Sequence, residues 1–313
     1  MKKIQMTKQN SVTVHEGFDQ FITKCRIKNL TDETITSYKL KLNHFLVFYG
    51  ENELLKTVTQ ETVDNYILWL NDNRNCGSIS INSYLRALRA FLYYCMDKDY
   101  VPRFRIQMIK AEKKLKETYS NKELEKLLKK PDINNCGFRE YEIWVLENYL
   151  LGTGNRISTA LELRIKDIDF EAGCIYIRKV KNRHQQIIPL STTLSIILQE
   201  YLLIRGNEPD AYLFCNAYGD KPDKRTFQQS IRSYNLKRGV EKTSAHLFRH
   251  TFAKNWIIAG GDIFRLQKIL GHSDLTVTKE YVAMFGTDLQ IDFEKFNPLD
   301  RMSNHINHDR IRM

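Results

Sequence analysis

The sequence predicts a mainly α-helical fold with a small antiparallel β-sheet, divided into two domains. Three observations carry this. Apolar residues recur at three- and four-residue spacing through the first hundred of the 313 residues. A basic stretch without apolar period, 101–117, then interrupts the pattern. Beyond it the chain reads as helices again, broken by two β-rich pieces around a polar tip.

Residues 1–13 are polar and read as a flexible N-terminus. From Val14, the positions Phe18, Phe21, Ile22 and Cys25 form one helical face. Thr31 opens a second helix, whose stripe is Ile35, Tyr38, Leu42, Phe45, Leu46 and Tyr49; Gly50 ends it. Thr59 reads as the N-cap of a third helix carrying Tyr66, Ile67 and Leu70. After Gly77-Ser78, a fourth runs from about Ser80 to Met96 and turns Ile81, Tyr84, Leu85, Leu88, Phe91 and Leu92 inward. Arg86 and Arg89 lie off that stripe. Four amphipathic helices with short connections make a small bundle over 14–100.

Residues 101–130 hold ten Lys or Arg against four Asp or Glu. Arg103, Arg105, Lys110, Lys113 and Lys114 fall in the interdomain linker 101–117 and suit a polyanion backbone. Ser120 and Glu123 form a capping box that opens the second domain, 118–285. Residues 138–151 read as a long buried helix, Gly152 to Asn155 as a turn, and a further helix as running from near Arg156 to before Lys166. Residues 174–177 and 185–190 are β-rich, with Lys181 to His184 as a hairpin tip. A helix over 192–205, a short strand at Leu213 to Cys215 and a helix from Thr226 to Lys237 follow. The tail from Gly286 carries Leu289, Ile291, Phe293 and Phe296, which are apolar enough to cover something, the tail's own domain or a neighbouring protomer.

The net charge of +11 favours a polyanionic partner, nucleic acid or an anionic membrane surface. No run of about 18 apolar residues and no signal-peptide core is present, which moves the balance to nucleic acid. The six cysteines include no C-x-x-C pair, so they read as reduced thilols of a cytoplasmic protein rather than as zinc ligands.

The chemistry concentrates between Ser244 and Phe285. His246 and Arg249 are three apart and share a helix face. An apolar helix ends in Leu270-Gly271-His272-Ser273, and Tyr281 follows nine residues after His272. Such a set can act on a phosphodiester. The arginine neutralises the phosphate oxygens, the histidines donate hydrogen bonds or move protons, and the tyrosine forms a covalent ester. Each residue alone is ordinary; the ordered set is not. No Asp, Glu and His cluster has metal-ligand spacing.

At these residues the chain resembles the tyrosine recombinase (phage integrase) family, which carries H-x-x-R, L-G-H and then the nucleophilic tyrosine. Gly154-Asn155-Arg156-Ile157-Ser158 resembles its first box, and Thr34 to Tyr38 its helical, SAM-like core-binding domain. The resemblance covers Val14 to about Asp300 and implies a two-domain clamp around duplex DNA. It makes Arg156 and Arg249 the phosphate clamps, His246 and His272 phosphate or proton contacts, and Tyr281 the nucleophile. Lys181 falls at the hairpin position of the general acid, with Lys179 and Arg183 as register alternatives; His250 is read as structural. Thr159 departs from the usual acidic residue. The implied reaction uses a 3′-phosphotyrosyl intermediate and a Holliday junction, with no metal, nucleotide or other cofactor. The implied partners are double-stranded DNA recombination sites, three further protomers completing a tetramer on two sites, and accessory DNA-bending proteins, in a prokaryotic cytoplasm at the nucleoid. Asn297-Pro298-Leu299-Asp300 is closer to integrases of mobile elements than to Xer-type resolvases. A type IB topoisomerase and a non-catalytic DNA-binding regulator are the rival readings.

Overall fold

The computed structural model describes residues 12–74, 76–111, 116–178, 185–272, 275, 278–279 and 281–282. The chain divides into two compact units, 1–114 and 115–313.

The first unit is a four-helix bundle: α1 (Val14–Ile27), α2 (Asp32–Tyr49), α3 (Gln60–Arg74) and α4 (Ser78–Asp97). Thr13 and Glu16 close a capping box on α1, and Thr31 caps α2 through the Thr34 amide. The expected stripes point inward: Phe45, Tyr66, Leu85, Leu88 and Phe91 are all buried. Their rings interlock edge to face, Phe45 on Tyr66 at 5.3 Å and Phe21 on Phe91 at 5.7 Å, as the positive edge of one ring favours the negative face of another. α2 packs against α1, α3 and α4.

The segment after α4 has no regular structure, yet its first half is anchored to the bundle. Val101 and Ile106 are buried in the same core. The side-chain amide of Asn82, itself 5% exposed, pairs with Ile109 like a second backbone: its Nδ2 donates to the Ile109 carbonyl at 2.8 Å, and its Oδ1 accepts from the Ile109 amide at 3.0 Å. The basic side chains Arg103, Arg105 and Lys110 alternate around these anchors and stay exposed.

The second unit contains α5 (Asn121–Leu128), α6 (Phe138–Thr153), α7 (Ile157–Ala160), β1 (Ile168–Asp169), β2 (Cys174–Ile177), β3 (Gln186–Pro189), α8 (Thr192–Arg205), α9 (Lys224–Lys237), α10 (Ala245–Ile258) and α11 (Ile263–Leu270). α6 is the hub, touching α5, α7, α8, α9 and α10. It is buried on most of its sides, Tyr141 through Glu147 in an unbroken run, which is the pattern of a central helix. The two carboxylates it buries differ. Glu142 accepts from Arg139, the Tyr201 hydroxyl and the Cys215 amide. Glu147 is fully buried, with no hydrogen-bond partner for either oxygen among the described residues. The sheet is antiparallel in the order β1-β2-β3, with Ile175 opposite both Ile168 and Ile188. The mainly α fold with a small antiparallel sheet is therefore the one the sequence predicts.

Two local expectations need correction, and one short strand was not expected. The helix beginning near Arg156 lasts four residues and stops at Ala160. Past it, Arg164 bridges Tyr212 in antiparallel fashion, and the Leu213 amide donates to the Leu163 carbonyl at 2.8 Å, so tertiary pairing takes the backbone groups that a longer helix would use. Leu213 to Cys215 is not a strand but a buried connection along the same line. β1, two residues long, is too short to show a period of its own.

Candidate active site

Arg249 organises the site. It lies on α10, 4% exposed, where each donor of its guanidinium must find an acceptor. Nη1 donates to the Gly154 carbonyl at 2.9 Å, and Nη2 to the Leu270 carbonyl at 2.8 Å. Arg249 thus ties the C-terminal ends of α6 and α11 together. Both ends are glycine caps in the left-handed region, Gly154 at φ 64° and Gly271 at φ 61°. At Gly154 a side chain is excluded twice, since a Cβ would stand 2.5 Å from Phe252 Cδ1 and 2.8 Å from Leu270 Cδ2.

Arg156 follows that turn as the N-cap of α7, half-buried. Its charge reaches Arg249, His246 and His272, lowering the pKa of each. Burial is the larger cause for Arg249, which comes down to about 10 and remains protonated at neutral pH. Two guanidinium groups held this close, with burial raising the cost of their charge, make a site that an anion would relieve.

His272 stands just beyond the Gly271 cap. Its Nε2 lies 2.6 Å from Arg249 Nη2, and its Nδ1 lies 2.9 Å from the Thr278 hydroxyl. Arginine only donates, so Nε2 is an acceptor and the ring proton sits on Nδ1. Burial, then Arg249, Arg156 and Lys116, lower its pKa to about 4. His246 is exposed at the start of α10; partial desolvation, Lys224, Arg249 and Arg156 lower its pKa as well.

Tyr281 is 2% exposed. Its ring lies parallel to that of His272 at 6.4 Å, under the ammonium of Lys116 at 4.3 Å. Nδ1 of His250 lies 2.7 Å from the Tyr281 hydroxyl. His250, read from the sequence as structural, therefore stands at the hydroxyl of the expected nucleophile. The signal was in the spacing: His246 and His250 are four apart and share one face of α10. Lys116, taken with the basic linker, gave no local sign of this placement, because it reaches the site only through the fold of the second unit.

Lys181, Lys179 and Arg183 lie outside the described residues, as do Lys113, Lys114 and the tail from Gly286. The foot of their hairpin is described. Gln186, at the start of β3, donates through Nε2 to the carbonyls of Lys268 and Ile269, at the end of α11. Arg86 is exposed and Arg89 half-buried on α4, in the first unit with Arg103, Arg105 and Lys110. Thr159 is half-buried on α7. Among the described residues, no group of three His, Cys, Asp or Glu side chains is placed to hold a metal ion, and no helix is long and apolar enough to cross a membrane.

Residues 107–286 match the phage integrase family, and residues 18–101 match the phage integrase N-terminal SAM-like domain. A tyrosine recombinase of Pseudothermotoga lettingae is 28% identical over 282 residues, 88% of this chain and 94% of that one. The tyrosine recombinase XerD of Staphylococcus haemolyticus is 26% identical over 284 residues, 87% of this chain and 94% of that one. Among solved structures, the Tn1549 transposon integrase in complex with transposon right end DNA shares the fold at a TM-score of 0.72 and 20% identity, covering 86% of this chain and 94% of that one. A lambda integrase dimer bound to a COC′ core site does so at 0.70 and 15%, covering 88% and 98%. With more than half of the chain matching the phage integrase family and the family's N-terminal SAM-like domain matched beside it, the chain belongs to the phage integrase family, the tyrosine recombinases.

Proposed function

We propose that the protein is a site-specific recombinase that cuts and rejoins duplex DNA, with Tyr281 as the nucleophile and a 3′-phosphotyrosyl intermediate. The observation that carries this is the gathering of Arg249, His272 and Tyr281: the buried Arg249 guanidinium meets the His272 ring, that ring lies parallel to the Tyr281 ring at 6.4 Å, and the charge of Arg156 also faces Arg249. A phosphodiester entering there meets two cations that offset the charge growing on its non-bridging oxygens. His246 and His272 contact the same phosphate. Lys181 protonates the leaving 5′ oxygen; Gln186, the described residue that opens β3 after it, is hydrogen-bonded to the end of α11 just before His272. Neither a metal nor a nucleotide enters these steps. Arg86, Arg89, Arg103, Arg105, Lys110, Lys113 and Lys114 face the DNA backbone, so that the two units clamp the duplex. Four protomers on two sites then exchange strands through a Holliday junction.

The biological role we favour is integration and excision of a mobile element, supported by the likeness of Asn297 to Asp300 to integrases of that kind. An Xer-type resolvase is the second reading, favoured by the relatives named XerD. Sequencing genomic junctions in cells expressing the protein separates them: new element–chromosome junctions support the first, and resolution at one fixed chromosomal site the second.

The cleavage reading is tested with a nicked suicide substrate in excess EDTA. Wild type should give a covalent DNA adduct on a denaturing gel, and Tyr281→Phe should bind the site and give none. An adduct with the Phe variant, or cleavage lost to EDTA and restored by Mg²⁺, would remove the mechanism. Strand exchange between two sites distinguishes it from a topoisomerase.

A further inference from the structure

His250 is the polar side chain nearest the Tyr281 hydroxyl that the family motifs leave without a role, with Nδ1 2.7 Å from the phenol oxygen. Of these two groups the phenol O–H is the stronger donor and the imidazole nitrogen the stronger acceptor, so the phenol's hydrogen is directed to the nitrogen beside it. That gives His250 the tautomer with a lone pair on Nδ1 and the proton on Nε2. The phenol thus has a base that takes its proton, and the charge of Arg249 acts on it as its oxygen becomes negative.

We propose that His250 is the proton acceptor for Tyr281 in strand cleavage and returns the proton in rejoining. The inference rests on the recombinase reading above. In cleavage the Tyr281 oxygen forms a bond to phosphorus, its proton passes to His250 Nδ1, and the bond from phosphorus to the 5′ oxygen breaks, that oxygen taking a proton from the general acid. In rejoining, the 5′ hydroxyl attacks the phosphotyrosine and gives its proton back to the general acid, and the imidazolium reprotonates the departing phenol. Each proton has a donor and an acceptor, and the enzyme ends as it began.

The surroundings suit this cycle. Burial, the largest cause, brings the pKa of His250 down to about 4, with the positive charges of Lys116, from the segment before α5, and Arg249, from α10 itself, adding to it; a proton on His246 would act the same way. His250 is therefore neutral, and able to accept, before DNA arrives. A phosphate brings negative charge among these groups, which raises the basicity of the imidazole when a proton has to be taken up. His246, assigned the phosphate or the tyrosine proton by resemblance, makes no ring hydrogen bond to Tyr281 among the described residues, and its position on the exposed side of the helix suits the phosphate.

The test compares wild type, His250→Ala, His250→Asn and His246→Ala on the nicked suicide substrate across pH 6 to 10. Both His250 variants should form the adduct about 10²- to 10⁴-fold more slowly near neutral pH. The rate of His250→Ala should climb about tenfold per pH unit, as hydroxide replaces the lost base, and rise again with added imidazole. Wild type and His246→Ala should show neither behaviour. An Asn variant that restores the wild-type rate, or an Ala variant that is slow with the wild-type pH profile, would make His250 a positioning residue only and overturn the proposal. So would hydroxide dependence in His246→Ala. A readout independent of cleavage is the ring ¹⁵N shifts of His250 in the DNA-free protein. Nδ1 should be unprotonated; a protonated Nδ1 overturns the proposal even if cleavage is normal. Failure of wild type to form any adduct would instead sink the recombinase reading.

Discussion

Arg249 Nη2 donates to Nε2 of His272 at 2.6 Å, and the other ring nitrogen of His272 faces the Thr278 hydroxyl at 2.9 Å. In this arrangement His272 accepts on the side where a phosphate contact needs it to donate. Thr278 therefore selects the tautomer, and Nε2 becomes a donor only when the ring takes up a second proton or its proton moves from Nδ1, changes that a nearby phosphate charge favours. Thr278→Val removes the oxygen that holds Nδ1–H. A net hydrogen bond is worth about 1 kcal/mol, so adduct formation should slow by roughly 3- to 10-fold with site binding unchanged in a gel-shift assay.

Gly154→Ala should be severe for its size. The residue sits at φ 64°, and the added methyl would press on Phe252 and Leu270. Left-handed strain of about 1–2 kcal/mol adds to overpacking of about 1–3 kcal/mol. Because the Gly154 carbonyl holds Arg249, cleavage should fall along with the midpoint of chemical denaturation. A variant of wild-type stability would contradict the packing seen here.

Glu147 makes a pH prediction. Burial raises its carboxyl pKa well above the usual range, so the fold favours the protonated carboxyl. The sign follows from linkage: this contribution to stability is present below the unfolded pKa and is lost as pH rises toward the folded one. Glu147→Leu should be more stable than wild type at pH 8, and the difference should shrink toward pH 4. Denaturation curves at the two pH values measure it; a constant difference would mean that Glu147 is not protonated in the fold.

Lys181→Ala should abolish cleavage of an ordinary substrate, and a 5′-bridging phosphorothioate should restore it, because sulfur leaves without a proton. Rescue of a Lys179 variant in place of Lys181 would shift the general acid by two residues.

Truncation after Phe285 should leave binding to a single DNA site unchanged while synaptic complexes and recombination collapse, if Leu289, Ile291, Phe293 and Phe296 dock on a neighbouring protomer. A truncated protein that still recombines at the wild-type rate would show that the tail serves no such role. Head-to-tail docking closes a ring, the geometry that a four-protomer assembly requires.

Most helices of both units were legible because each buries one face, and burial writes a period of 3.6 into the chain. The caps at Thr13, Thr31 and Ser120 were legible for a related reason, since a helix start leaves amides that a nearby side chain must satisfy. What failed was what depends on a distant partner. The helix after Arg156 stops early because Leu163 and Arg164 pair with residues about fifty positions away. The first half of the linker is held by Asn82, 27 positions from Ile109.

The same division runs through the site. The sequence by itself determined which residue types were available, since the order of Arg156, His246, Arg249, His272 and Tyr281 is a covalent property. It also placed His246 and His250 on one helix face, through a spacing that is local. Only the tertiary structure decided that Gly154 and Leu270, from two different helices, would receive the Arg249 guanidinium, that Lys116 would cover the Tyr281 ring, and that His250 would meet the Tyr281 hydroxyl. The physical reason is the cost of burying Arg249 in α10. A buried guanidinium must find acceptors wherever the packing of α6 and α11 supplies them, and those partners are separated by 95 and 21 positions that no local pattern spans.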